Sequence, residues 1–343
     1  MNPVRLAIVG CGAVAERYHL PAVAVARDVE LVCLVDPVLE RAERLAARYS
    51  VPLVLEDHEA LPGVVDAAIV ATPNHLHEPV ASTLLRAGVH VLIEKPLARS
   101  SAECDAIEAA AAGGGATAAV GHSFRHFPVA WTARQLLADE VLGEVLDVEV
   151  RQSSGGGWPY ASNYVFSRTE SGGGVLIDFG VHILDLLGWW LGDLRVVDYS
   201  DDAAGGVETE CALRLESATG ASILVLLSRL RPLRDTFLVR CARGTLEIGV
   251  FEPAVIRLTP NDGRSLEGDV PDAEFAAAPL RTVFLRQLSD FVAAIRGGGD
   301  PLVPLKQGRR PVELAEHCYS VRTPLRRPWD WPEALVAVKD GTL

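Results

Sequence analysis

Across its first 121 residues the chain alternates short, unbroken apolar runs with amphipathic stretches, and that alternation sharply narrows the choice of fold. The apolar runs occupy 4–9, 30–35, 67–71, 89–93 and 117–121. Each is short and mainly apolar, as a strand buried on both faces is. The stretches between them, at 13–27, 38–49, 76–87 and 101–112, carry helical periodicity. Strand and helix in alternation imply an α/β unit, a Rossmann-type doubly wound parallel sheet with right-handed crossovers. The Ala/Gly tract 109–116 needs only a helix that ends in a turn before the last of these strands.

The second part changes character. A helix is predicted at 126–139, then strands at 144–152, 194–200, 207–216, 221–229, 235–241 and 245–249. Several meet at hairpin-like turns such as 217–220 and 242–244. A very apolar helix at 174–191 interrupts them, and helices near 278–296 and 310–322 follow. This pattern predicts an α+β domain with a large, open, mainly antiparallel sheet. One broad face of such a sheet needs a cover, and self-association is the simplest one. The expected division is 1–122 for dinucleotide binding and 123–343 for substrate binding and oligomerisation, as a homodimer or homotetramer through the sheet.

Composition sets the remaining bounds. At 343 residues, 49% hydrophobic and 22% charged, the chain is long enough for two cores. No run is expected to approach a membrane span, and the start leads into a strand without the features of a signal peptide. A net charge of −13 argues against nucleic acid and anionic membranes as partners. The cysteines at 11, 33, 104, 211, 241 and 318 are scattered and form no Cys-x-x-Cys pair. Most fall inside apolar elements, which implies reduced thiols and a cytoplasmic protein.

Gly10-Cys11-Gly12-Ala13-Val14-Ala15 follows the first strand and opens the first helix. In such a G-x-G-x-x-A turn the first glycine makes the bend and the second admits a pyrophosphate. The small last residue allows close packing, and the helix N-terminus supplies amide hydrogens. Asp36 ends the second strand, where a carboxylate accepts from both adenine-ribose hydroxyls and so favours NAD. Its competing role is to cap the helix after Pro37. Arg41, one turn on, keeps NADP open.

The fourth strand delivers Glu94-Lys95-Pro96 to the carboxyl edge of the sheet, where ligands of such sheets bind. A lysine there can polarise a carbonyl or share a proton with a hydroxyl. Pro96 fixes the turn and is a candidate cis proline. In the helix 174–191, Asp178, His182 and Asp185 fall on one narrow arc at about 100° per residue. A polar stripe on a core helix is costly unless its members are paired or used. For Asp178 the bland role is a carboxylate near a helix N-terminus. For His182 it is a core histidine satisfied by its neighbours. The pair His75-x-His77 lacks a convergent carboxylate or cysteine, so no metal is expected.

Taken in order, these motifs strongly resemble the Gfo/Idh/MocA oxidoreductases, which include inositol dehydrogenase, glucose–fructose oxidoreductase and sugar ketoreductases. The resemblance rests on Gly10-x-Gly12-x-x-Ala15, Thr72-Pro73-Asn74-x-x-His77, Glu94-Lys95-Pro96 and Gly172-Gly173-Gly174-x-x-x-Asp178-x-Gly180-x-His182. It implies hydride transfer between a nicotinamide and a carbon of a sugar, cyclitol or related polyol. It further implies that Thr72, Pro73, Asn74 and His77 line the cofactor and that Glu94 approaches the nicotinamide ribose. Lys95, Asp178 and His182 match the family's catalytic positions. Members often carry a Trp-Arg pair shortly before the glycine run. This chain has Asn163-Tyr164-Val165 there, so details of the substrate pocket do not carry over.

Three readings follow. In the first, an NAD(P)-dependent oxidoreductase interconverts alcohol and ketone, with Lys95 bonding the developing alkoxide and His182 exchanging the proton. Asp178 orients a hydroxyl or contacts His182 directly. Trp158, Tyr160 and Tyr164 are candidates for stacking on a sugar face. Arg125 is a candidate substrate contact or a structural ion pair. In the second, the same fold cleaves glycosides with NAD and no net redox change. In the third, it is a non-catalytic nucleotide sensor.

Overall fold

The computed structural model describes residues 2–153, 159, 161–249, 255–269 and 272–325. Six parallel strands build the first sheet: β1 (Val4–Val9), β2 (Val29–Val35), β3 (Leu53–Leu55), β4 (Ala67–Val70), β5 (His90–Glu94) and β6 (Ala118–Gly121). Their order is β3-β2-β1-β4-β5-β6, so the chain reverses its winding between β1 and β4. The crossovers run through a π-type turn (Ala15–His19) leading into α1 (Leu20–Val23), then α2 (Leu39–Tyr49), α3 (His77–Arg86) and α4 (Ser101–Gly114). Ser100 caps α4 by accepting from the Glu103 amide, and Gly115 ends it in the left-handed region. The strand β3 is an addition to the sequence reading: three residues after Pro52 are too short a run to show a period.

The second sheet is nine-stranded among the described residues. Its strands are β7 (Val145–Ser153), β8 (Leu194–Asp201), β9 (Glu210–Ser217), β10 (Ser222–Ser228), β11 (Thr236–Cys241), β12 (Gly244–Gly249), β13 (Val255–Pro260), β14 (Leu266–Asp269) and β15 (Thr323–Pro324). The order is β14-β13-β12-β11-β7-β10-β9-β8-β15, mainly antiparallel, with β7 parallel to β10 and β8 parallel to β15. One face is apolar and packs under α5 (Pro128–Ala138), the π-type turn Leu176–Gly180 and α7 (Val181–Leu191), whereas α6 (Arg168–Ser171) lies against the turn Asn74–Leu76 of the first domain. The other face carries cross-strand ion pairs, including Arg214 with Asp198 and Arg257 with Glu247 and Glu267.

The remaining helices are α8 (Ala273–Ala277), α9 (Pro279–Ile295), α10 (Leu305–Gly308) and α11 (Arg310–Ser320). Leu288, Phe291 and Val292 of α9 enter the core around Leu6, Ile8 and Leu20. Leu305 and Val312 join the core around Val91 and Ile107 on the other face of the first sheet. The C-terminal helices therefore help to cover the Rossmann sheet, across the boundary drawn at residue 122.

Two sequence expectations need correction. The stretch Arg168–Leu191 is in fact long and apolar enough to cross a membrane, yet 67% of its most apolar window is buried inside the protein. It is the core helix of the second domain. The helix is also not a uniform 3.6-residue spiral, because its first part, Leu176–Gly180, is wound as a π turn. All six cysteines are free and buried.

Candidate active site

The glycine turn fits a dinucleotide. Gly10 has φ +95°, and a Cβ there would lie 2.6 Å from the Ala71 carbonyl oxygen, so only glycine allows β1 and β4 to approach this closely. Beside the turn is a cavity of about 630 Å³ bordered by Cys11, Gly12, Ala13, Arg41, Arg44 and Ala161. The last of these comes from the second domain. The Thr72 hydroxyl is buried without a hydrogen-bond partner, and the Thr72 amide nitrogen lies against Gly10 of the turn. An orphaned hydroxyl beside a glycine turn fits a cofactor pyrophosphate.

Asp36 is held by main-chain amides at the end of β2. It is 2% exposed; Oδ2 accepts from the Cys11 amide at 2.8 Å and Oδ1 from the Val38 amide at 2.9 Å. Arg41 Nη1 leans on the same carboxylate at 3.2 Å. The carboxylate thus stitches the glycine turn to the start of α2.

Lys95 lies at the carboxyl end of β5, and the Lys95–Pro96 peptide is cis. Its Nζ donates to the Asp178 main-chain oxygen at 2.7 Å and lies 3.5 Å from Asp178 Oδ1. Asp178 Oδ2 in turn lies 2.5 Å from Nη2 of Arg229, just beyond β10. The carboxylate therefore sits between two cations from different elements, not against the imidazole of His182.

Glu94 is buried, with Oε1 at 2.7 Å from His19 Nε2 and Oε2 accepting from the Lys95 amide at 3.2 Å. His19 ends the π turn after the glycine loop, so this pair ties the cofactor turn to the lysine. Burial opposes ionisation of Glu94, but His19 and Lys95 outweigh it and hold its pKa below the usual carboxylate value. His77, 1% exposed, has Nδ1 at 2.7 Å from the Pro96 carbonyl and Nε2 at 3.0 Å from that of Thr72. Its ring is a strut between two loops, and burial lowers its pKa. Asn74 reaches the other domain, donating to the Ser171 carbonyl at 2.8 Å. Pro73 caps the short turn Asn74–Leu76.

His182 is 8% exposed and lies flat against Phe124, with ring centroids 4.2 Å apart and 12° between planes. Its Nδ1 is buried without a hydrogen-bond partner. Burial, then Lys95, then His122 hold its pKa well below 6.5, so the imidazole is neutral at pH 7. It is not the satisfied core histidine of the bland reading.

Arg125 is engaged in the structural ion pair that the sequence offered for it. It is 3% exposed; Nε and Nη2 grip Asp185 at 2.9 and 2.8 Å, and Nη1 meets Gln307 and the Leu302 carbonyl. Asp185, the third member of the polar stripe, is thereby a structural carboxylate. Of the aromatic candidates, Tyr164 stands half-buried on the short turn Tyr164–Phe166, whereas Trp158 and Tyr160 lie outside the described residues.

The start of the polar helix is held by a residue that the sequence did not mark. Glu208 accepts at Oε1 from the Leu176 amide (3.0 Å) and from the Tyr319 hydroxyl (2.7 Å), and its carbonyl accepts from the Val175 amide (2.9 Å). A Cβ on Gly174 would lie 1.9 Å from that carbonyl, which explains a glycine at this place. Arg229, His19 and Glu208 all escaped the sequence reading. For Arg229 a signal existed, since it closes the apolar run of β10.

Comparison with known proteins agrees with this geometry. Residues 4–122 match the group described as "Oxidoreductase family, NAD-binding Rossmann fold", and residues 130–247 match "GFO/IDH/MocA C-terminal domain". A putative UDP-kanosamine synthase oxidoreductase subunit of Amycolatopsis mediterranei is 35% identical over 55% of this chain and 52% of its own length. The D-glucoside 3-dehydrogenase of Escherichia coli is 33% identical over 56% of this chain and 55% of its own. The chain thus spans about half the length of these curated relatives. A 3-ketoreductase from Actinomadura kijaniata, solved with NADP and TDP-benzene, shares the fold with a TM-score of 0.84 at 23% identity, covering 94% of this chain and 99% of that one. With matches to both of its domains extending over more than half of the sequence, the chain belongs to the Gfo/Idh/MocA oxidoreductase family, and its first domain is an NAD(P)-binding Rossmann domain.

Proposed function

We propose that this protein interconverts a secondary alcohol and a ketone on a pyranose ring, at the C3 position of a glucoside or sugar nucleotide, with NAD as the preferred partner. The observation that carries the reading is Lys95 fixed to Asp178 at the carboxyl edge of the Rossmann sheet, with His182 one helical turn further on. The choice of C3 draws on the E. coli relative, a D-glucoside 3-dehydrogenase. A bound nicotinamide supplies the hydride acceptor or donor. The chain supplies everything else.

Lys95 has one N–H taken by the Asp178 carbonyl, which aims the ammonium and leaves donors for a substrate oxygen. A cation at that oxygen stabilises the alkoxide character that develops as hydride leaves carbon. His182, kept neutral by burial, is the base for the hydroxyl proton in oxidation and returns it in reduction. Phe124 fixes the plane of the ring. Asp178 holds Lys95 and Arg229 in register from the second domain. Asp36 favours NAD because a 2′-phosphate would meet its carboxylate, although Arg41 softens that repulsion.

The test is an absorbance assay for NADH. The protein is mixed with NAD and, in turn, methyl α-D-glucopyranoside, a nucleoside-diphosphate glucose and myo-inositol. NADH formation with one of the glucose derivatives, faster than with inositol, supports the reading. Formation with inositol alone overturns it.

A further inference from the structure

A second imidazole stands behind His182, and the function above makes no use of it. His122 is the first residue after β6. The parallel register pairs Glu94 with Gly121, so the next residues on the two strands, Lys95 and His122, leave the sheet edge side by side. His122 is completely buried, and neither of its ring nitrogens has a hydrogen-bond partner. Its Nδ1 is 3.9 Å from Asp185 Oδ2, too far for a hydrogen bond. Its ring meets that of His182 edge-on, with centroids 6.1 Å apart.

A buried imidazole without partners costs stability that a phenylalanine of similar size would not. Such orphaned groups call for a reason, and they cluster where chemistry occurs. Here three orphaned nitrogens, both of His122 and Nδ1 of His182, belong to neighbouring rings. No direct hydrogen bond joins the two rings, so a proton passing between them needs one bridging solvent molecule.

We propose that His122 is a positioning residue that takes the proton from His182 after each oxidation and returns it in reduction. The idea rests on the reading of His182 as the group that exchanges the substrate proton. As the carbinol C–H bond breaks, its electron pair goes with hydrogen to the nicotinamide, and the O–H proton passes to His182. His182 then gives up the proton on Nδ1 towards His122, becomes neutral again, and the sum is ketone, reduced nicotinamide and one proton. Five charged or titratable groups face His122: Asp185 and Arg125 from the ion pair, Lys95 and Glu94 from β5, and His182 from α7. Asp185 and Glu94 favour a proton there, while burial, Arg125 and Lys95 oppose it, so the proton is held only in passing.

The test compares wild type, His122→Phe and His182→Asn, each loaded with NAD and labelled with ¹⁵N-histidine. One readout is the pH titration of the His182 ring nitrogens by NMR. The other is the pH profile of kcat with methyl α-D-glucopyranoside. We expect His122→Phe to move the His182 titration, to shift the acidic limb of kcat and to lower kcat at least tenfold with KM within twofold. An unchanged His182 titration and an unchanged acidic limb in His122→Phe, beside an inactive His182→Asn, overturn the relay. Full turnover in His182→Asn overturns the reading of His182 first, and the relay with it. If His122→Phe does not fold, His122→Asn keeps a polar group in place and must show the same changes.

Discussion

Lys95 of the Rossmann domain and Asp178 of the second domain are joined twice, through the main-chain oxygen at 2.7 Å and through the carboxylate at 3.5 Å. Lys95 is thereby positioned by the other domain. The main-chain bond survives replacement of the Asp178 side chain, so Asp178→Asn retains an aimed lysine and loses the charge shared with Arg229. Arg229→Met removes the arginine from Asp178 and leaves the contact with Lys95. Both variants are expected to lose at least about tenfold in kcat/KM, equivalent to roughly 1.4 kcal/mol of transition-state stabilisation. Steady-state kinetics across a pH range checks this.

The Arg125–Asp185 pair is buried on both sides, with side chains 4% and 1% exposed. Removing one partner strands the other charge, so Asp185→Asn is expected to destabilise the fold by about 3–5 kcal/mol. Urea unfolding of the variant against wild type measures this. A substrate-binding role for Arg125 would instead raise KM without moving the midpoint.

Acid should weaken the fold. His126 is held down to about 3, chiefly by burial and then by Arg125 and Arg286, and burial also lowers His77, His122 and His182. For a histidine whose folded-state pKa is depressed, the unfolded chain binds more protons below about 6.5, so stability is lost as pH falls through that value. Between pH 6.5 and 5.5 His126 alone removes about 1 kcal/mol, and the other three act in the same direction. Glu208, whose pKa burial raises, acts in the opposite sense, contributing stability as pH falls through its raised value. Urea midpoints at pH 7.5 and 5.5 should show the fall; equal midpoints would contradict it.

Asp36 accepts from two main-chain amides, and in the proposed cofactor pose it also meets the adenine ribose. Asp36→Ser is therefore expected to shift preference towards NADP at least tenfold and also to lower the thermal midpoint. Binding of each cofactor, followed by its effect on that midpoint, reads both effects.

Much of this site was legible in the sequence because its motifs are local. Gly10, Gly12, Lys95, Asp178 and His182 each sit in a short run whose spacing states the geometry. The rest depends on pairs far apart in the chain. Arg229 is one arginine among many until β10 brings it against Asp178. Glu208 caps a helix that begins more than thirty residues earlier. The arc containing Asp178, His182 and Asp185 follows from helical periodicity, but the π turn and the separate partners of the three residues do not. The return of α9 and α10 to the Rossmann sheet is a tertiary choice that no local pattern announces.

The central claim is hydride transfer to NAD with Lys95 at the reacting oxygen. It is tested most directly with methyl α-D-glucopyranoside bearing deuterium at C3, wild-type protein and Lys95→Met. The account predicts deuterium on the nicotinamide of the NADH formed by wild type, and a rate lower by about 10²-fold or more in Lys95→Met. Release of methanol without NADH, or equal labelling by the two proteins at equal rates, would contradict it.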